Sequence, residues 1–287
     1  INKEKMSEPQ CMPQGAYDQW LKVTNVGPIV DQTSLSALLS DTTIQETHIN
    51  ALVTQAAAGN FKGINLDYQG VPENQADIFT AFTRNLADSL HEQGLELAIN
   101  LGAPAVSGSN WETGGQDWQV LGDIADVLFL TLPLDPTEYD ADDAAAQLLN
   151  WATRQVNRTK LSALLDTNAT DRIGETFTTL SNENSLANFG ELQFIQGGEE
   201  VAPNDTVEVA LSGSANPLEW DGEGLTYKYS YEKDGEIHDV WLGSEASLSH
   251  RLQNALGYNL RGVSVRGLGN IEKGEGYAAA FKNYLNT

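Results

Sequence analysis

The stretch Phe61-Lys62-Gly63-Ile64-Asn65-Leu66-Asp67-Tyr68-Gln69-Gly70-Val71 decides how the rest of the chain is read. Residues 63–68 form a short apolar run of the kind expected of a strand buried on both faces. Side chains alternate along a strand, so Asn65, Asp67 and Gln69 fall on one side of it. In a parallel barrel, polar residues at the end of a strand line the mouth where active centres are built.

Working outward, residues 21–26, 95–101, 127–134, 161–165 and 262–268 have the same character. Helical periodicity fills the intervals. It is clearest over residues 74–93, where Ile78, Phe79, Phe82, Leu86 and Leu90 recur at three- and four-residue spacing and Gly94 supplies the stop. Further helices are predicted at 43–58, 142–156 and 247–257. Strand alternating with helix argues for a parallel α/β sheet, and on this pattern alone an open doubly wound sheet stays in contention. No G-x-G-x-x-G opens a helix and no G-x-x-x-x-G-K-[ST] loop occurs, so the sequence offers no phosphate cradle.

Between residues 174 and 242 the grammar changes to antiparallel strands, predicted at 190–196, 206–211, 225–231 and 237–242. Lys233-Asp234-Gly235-Glu236 supplies a hairpin turn between the last two. Trp220, Tyr227, Tyr229, Tyr231 and Trp241 make this segment aromatic-rich, which fits either a sugar-stacking face or the packing of a small sheet. Residues 1–18 are polar, with two prolines and no period, and read as an arm or linker. The expected organisation is therefore an arm (1–18), a first barrel part (19–173), an antiparallel insertion (174–242) and a last barrel part (243–287).

The 287 residues are 40% hydrophobic, enough to bury one sizeable core. Forty acidic against sixteen basic residues give a formal net charge of -24, which opposes binding to nucleic acid or to anionic membranes. No apolar run is long enough to span a bilayer. Cys11 is the single cysteine, which excludes an internal disulfide and a thiolate metal cluster. The four histidines, His48, His91, His238 and His250, lack zinc-site spacing, so neither metal nor cofactor is expected. Ser107-Gly108-Ser109 and Leu211-Ser212-Gly213-Ser214 lack the setting of a nucleophile elbow and read as turns. Three N-glycosylation triplets, at Asn157, Asn168 and Asn204, are too loose a pattern to carry weight. Residue 1 is Ile and no signal-peptide core follows, which fits a processed chain or a part of a longer polypeptide.

The 61–71 stretch resembles the signature strand of family 18 glycoside hydrolases, D-G-[hydrophobic]-[D/N]-[hydrophobic]-D-[aromatic]-E. Gly70-Val71-Pro72, the helix after it and Gly94-Leu95-Glu96-Leu97-Ala98-Ile99 resemble the subgroup that includes spore-cortex peptidoglycan hydrolases. So do Asp234-Gly235-Glu236-Ile237-His238-Asp239-Val240-Trp241 and Gly262-Val263-Ser264-Val265-Arg266-Gly267-Leu268-Gly269. The resemblance covers residues 19–287 in the expected order and implies a TIM-type (β/α) barrel with a small antiparallel insertion before the last strand. One strand and one helix are predicted before the signature strand, where the family has three βα units. Either the barrel is incomplete in this chain or its first two units belong to an upstream segment.

The resemblance also implies a site, and this sequence departs from it. In the family the closing Glu protonates the leaving oxygen, while the substrate's own N-acetyl group attacks the anomeric carbon. Here the position is Gln69, whose amide has no proton to transfer, and losing general acid catalysis costs a factor of about 100 to 10,000. The sixth strand's Tyr is replaced, with Thr131 and Pro133 in its place, and the eighth strand's sugar-floor Trp by Arg266. Three departures argue against a single laboratory substitution. Asp67 is the one carboxylate left beside Asn65.

Three functions compete on these grounds. One is a non-hydrolytic scaffold domain of a larger exported or cell-surface protein, contacting other subunits of a surface assembly. Another is a glycan-binding relative that keeps a groove for N-acetylglucosamine-containing polymers, lined by Trp111, Trp118, Trp220 or Trp241. The third is an active hydrolase of chitin or peptidoglycan with a relocated acid, for example Asp135 or Glu138. The family resemblance implies an extracellular or cell-surface location.

Overall fold

The computed structural model describes residues 17–107, 110–189, 191–196, 208–212, 215–267 and 275–286. Cys11, most of the N-terminal arm, the Asn204 triplet and Leu268-Gly269 lie outside them. The chain divides into two compact units.

The first unit comprises residues 1–132, 148–164 and 258–264. Most of a partial-barrel sheet falls in it, six strands in the order Trp20–Thr24, Gly63–Asp67, Glu96–Leu101, Val127–Thr131, Leu161–Asp166, Gly262–Arg266. The first five of these strands pair in parallel. Parallel strands covered on both faces need apolar residues in succession, and Ile64, Leu66, Leu97, Ala98, Ile99, Leu128 and Leu130 are all fully buried. An eight-stranded barrel would carry two more strands.

Helix Ala76–His91 covers the sheet with Phe79, Phe82, Leu86 and Leu90, each at 0% exposure. Ile78, expected in the same stripe, is 40% exposed, because one residue of helix turns it about 100° from Phe79. Two helices precede the signature strand, not one. Asp31 accepts from the Ser34 amide and starts Gln32–Leu39, and Asp41 accepts from the Thr43 and Ile44 amides and starts Thr42–Ala58. Leu35, Leu38 and Leu39 bury the first of them, although Thr, Ser and Gln fill its other face.

The second unit comprises residues 133–147, 165–257 and 265–287. It holds a five-stranded antiparallel sheet in the order Glu219–Asp221, Thr226–Lys233, Glu236–Trp241, Ala169–Ile173, Thr176–Leu180. Asp234 and Gly235 both take positive φ (55° and 81°), the turn geometry that the Asp-Gly pair favours in a two-residue hairpin. Ala169, Tyr229, Tyr231 and Val240 form its core, with Leu180, Phe189 and Leu242 packed against them. The sheet begins at Ala169, before the boundary expected at 174. That strand reads Ala-Thr-Asp-Arg-Ile, and its polar side chains find partners across the sheet: Asp171 Oδ2 lies 2.8 Å from His238 Nδ1, and Arg172 pairs with Asp239.

No helix among the described residues is long and apolar enough to cross a membrane.

Candidate functional site

The site is built where strand Gly63–Asp67 ends. Asp67 is 5% exposed and Gln69 partly buried, and the two side chains meet: the Gln69 amide nitrogen donates to Asp67 Oδ1 at 2.8 Å and to the Asn100 carbonyl at 3.1 Å. Both partners are acceptors, which fixes the amide with its nitrogen toward them and its oxygen away. Asn65, two residues earlier on the same side, has a buried Oδ1 without a hydrogen-bond partner among the described residues.

The backbone of Gln69 lies beyond the strand's ladder, and a side chain continues the pairing. Asn25 Oδ1 accepts from the Gln69 amide at 2.8 Å, and Asn25 Nδ2 donates to the Gln69 carbonyl at 2.9 Å, as a peptide group of a neighbouring strand would. Gln116 does the equivalent between the next strands: its Nε2 donates to the Tyr68 carbonyl at 3.0 Å and its Oε1 accepts from the Gly102 amide at 2.7 Å. Gly102 leaves room for the site, since a Cβ there would lie 3.0 Å from Gln69 Oε1.

Behind the site, Tyr68 points the opposite way. Its hydroxyl lies 2.6 Å from His48 Nε2, with Phe82 stacked beside both rings. Burial pushes the Tyr68 phenol well above its usual range and holds the His48 imidazole below the ordinary histidine value.

On the first strand, Lys22 Nζ lies 2.8 Å from Asp67 Oδ2, and Thr24 Oγ1 donates to the same oxygen at 3.4 Å. Burial alone would raise the Asp67 carboxyl. Lys22, Gln69 and Asn100 outweigh it and hold the group below the usual aspartate range, so Asp67 stays ionised at neutral pH.

The other expected site residues have different surroundings. Trp118 is 2% exposed and packs on Trp151 with ring centroids 4.9 Å apart, and Trp241 is 3% exposed beneath Lys228 and Arg172 with its Nε1 donating to Asp221. Neither offers a ring face to a sugar, so both are core residues of their units and not stacking surfaces. Helix and strand patterns could not distinguish a wall-lining tryptophan from one turned inward. Trp111 is partly buried against Trp151. Trp220 is 51% exposed and set edge-on to Tyr227, itself 47% exposed.

In the second unit, Pro133 offers its carbonyl to the Tyr139 hydroxyl at 2.6 Å, and burial pushes that phenol up to about 12. The Arg266 carbonyl accepts from the Thr167 amide and hydroxyl, and its side chain is exposed. Asp135 Oδ1 accepts from the Thr137 amide and hydroxyl, and Glu138 Oε2 from the Ala144 amide at the start of helix Ala144–Gln155. Both candidate replacement acids thus already hold their own loop. Among the described residues no three His, Cys, Asp or Glu side chains converge as metal ligands.

Sequence reasoning missed Lys22, Asn25, Asn100 and Gln116. One signal was present: Lys22 is a cation in the middle of Trp-Leu-Lys-Val-Thr, an otherwise mostly apolar strand, where a charge needs a partner. A cavity of about 450 Å³ lined by Asp18, Lys62 and Glu96 lies where strands Gly63–Asp67 and Glu96–Leu101 begin, at the opposite end from Asp67.

No family model matches the chain. It is 23% identical over 239 residues to the cortical fragment-lytic enzyme of Bacillus subtilis, covering 81% of this chain and 52% of that protein. The chain thus spans about half the length of the curated relatives first matched, 52% and 57%. Among solved structures, a chitinase from Chromobacterium violaceum superposes with a TM-score of 0.67 at 22% identity, over 94% of this chain and 80% of that one. The Bacillus cereus spore cortex-lytic enzyme SleL gives 0.65 at 17% identity, over 93% and 59%. The fold is that of the chitinase-like glycoside hydrolases, and the sequence relatives are spore cortex-lytic and glycosylase proteins.

Proposed function

We propose that this chain is a non-hydrolytic, chitinase-like domain that acts as a glycan-binding or scaffold module of a larger exported or cell-surface protein. N-acetylglucosamine-containing polymers are the ligand class, drawn from what the relatives' names say they act on. The observation that carries the reading is the pairing of Gln69 with Asp67: the residue at the acid's position donates both amide hydrogens and has none to give away. Such an amide reproduces the hydrogen bond that a protonated carboxyl would make to Asp67, which keeps the pocket's shape without its chemistry. The engaged carboxylates of Asp135 and Glu138 weigh against a relocated acid.

Two measurements test this together. Incubation with chitin and peptidoglycan oligosaccharides is expected to release no reducing ends above blank, and calorimetric titration with N-acetylglucosamine oligomers is expected to give a saturable isotherm. Turnover by the unaltered chain would overturn the non-hydrolytic reading in favour of an active hydrolase. A flat titration would remove glycan binding and leave the scaffold role.

A further inference from the structure

We propose that Lys22 is a positioning residue of this site, which holds Asp67 as half of an ion pair and so sets what a carboxyl at position 69 would face. The proposal rests on the reading above that Gln69 occupies the acid's place. A carboxylate has about four lone-pair sites. Around Asp67 three donors converge: Lys22 and Thr24 at Oδ2 and Gln69 at Oδ1. Oδ2 already holds two of them, so an acetamido N–H approaching on that side competes with Lys22 and Thr24. Lys22 reaches Asp67 from the solvent side: its side chain is 49% exposed, whereas that of Asp67 is 7% exposed.

Lys22 is also the one charged group paired with Asp67 among the described residues. The neighbouring strand Glu96–Leu101 contributes neutral Asn100, position 69 is a neutral amide, and the His48–Tyr68 pair faces away into the helix layer. The register explains why: Trp20–Thr24 pairs Lys22 with Asn65 and Thr24 with Asp67, which sets the lysine beside the Asn65–Asp67–Gln69 face. If position 69 carried a glutamate, its proton affinity would depend on whether Asp67 beside it counts as a bare negative charge or as half of an ion pair. Lys22 makes it the second. Restoring the acid alone would therefore give a carboxyl that ionises too readily for an acid's task.

The test is a carbon-detected NMR titration of side-chain carboxyls in the full chain, with no glycan present, in wild type, Lys22→Met, Gln69→Glu and the Lys22→Met/Gln69→Glu double variant. Near-ultraviolet circular dichroism checks that each variant is folded, and Lys22→Gln, which keeps a donor but no charge, serves where the methionine variant is not. Loss of the lysine is expected to move the Asp67 midpoint upward, and the higher of the two coupled midpoints in the Gln69→Glu background is expected to rise again when Lys22 is removed. Unchanged midpoints on losing Lys22 would overturn the proposal, because the lysine would then be an ordinary solvated surface charge. A failed glycan titration refutes the binding role separately and leaves these midpoints as they are.

Discussion

His48 stands directly behind the candidate site, and its burial makes a prediction about acid stability. The folded chain holds the imidazole below its ordinary value of 6.5, with desolvation as the leading cause, while the unfolded chain takes up the proton at that value. Between the two, the unfolded state binds more protons, so stability is fully present above pH 6.5, falls as pH drops through the window, and levels off below the folded value. One proton of difference sets the largest slope at about 1.4 kcal/mol per pH unit. Urea unfolding of wild type and His48→Gln, from about pH 8 to about pH 5, isolates this contribution, because Asp67 and the other histidines are common to both chains. The stability of wild type relative to the variant is expected to decline below pH 6.5. Parallel profiles would refute the reasoning and mean that the folded protein accepts the proton on His48 without cost.

Further outcomes follow from the same geometry. Gln69→Glu should leave the fold intact yet release few or no reducing ends from chitin oligosaccharides, whereas robust turnover would show that position 69 was the only obstacle to hydrolysis. Gly102→Ala places a methyl group 3.0 Å from Gln69 Oε1, so weakened N-acetylglucosamine oligomer binding by calorimetry is expected, with unfolding little changed. Phe82→Ala empties a fully buried position and should cost about 3–5 kcal/mol in urea unfolding. Trp220→Ala, at a half-exposed ring, should change stability by less than about 0.5 kcal/mol and yet reduce glycan affinity if the edge-on pair with Tyr227 is a stacking surface.

The strand that anchors the fold was legible because it is buried on both faces and still carries Asn65 and Asp67 at a spacing that Gln69 continues just past its end. Ile64 and Leu66 announce the sheet, and Asp67 and Gln69 announce its mouth. The helix Gln32–Leu39 was not legible: Pro28 lies just before it, Ser and Thr dilute its apolar face, and only the Asp31 cap marks its start. Ala169–Ile173 escaped for a related reason, since Asp171 and Arg172 look like loop residues until His238 and Asp239 arrive from a strand 67 positions away. Lys22 belongs to the same class. Its ion pair with Asp67 exists only once two strands adopt one register, and no local pattern encodes that. Aromatic residues misled in the other direction: composition shows how many there are, but Trp118 and Trp241 differ from Trp220 only in which way the backbone turns them.

Gln116 sits in a short loop that includes Gly114 and Gly115, and its one amide stitches Tyr68 to Gly102. The stiffness of the mouth is therefore on loan from a segment outside the sheet. When that loop breathes, the Gly102 amide loses its acceptor while the strands themselves stay still, so the exchange rate of its hydrogen should report the loop's motion and not the unfolding of the sheet.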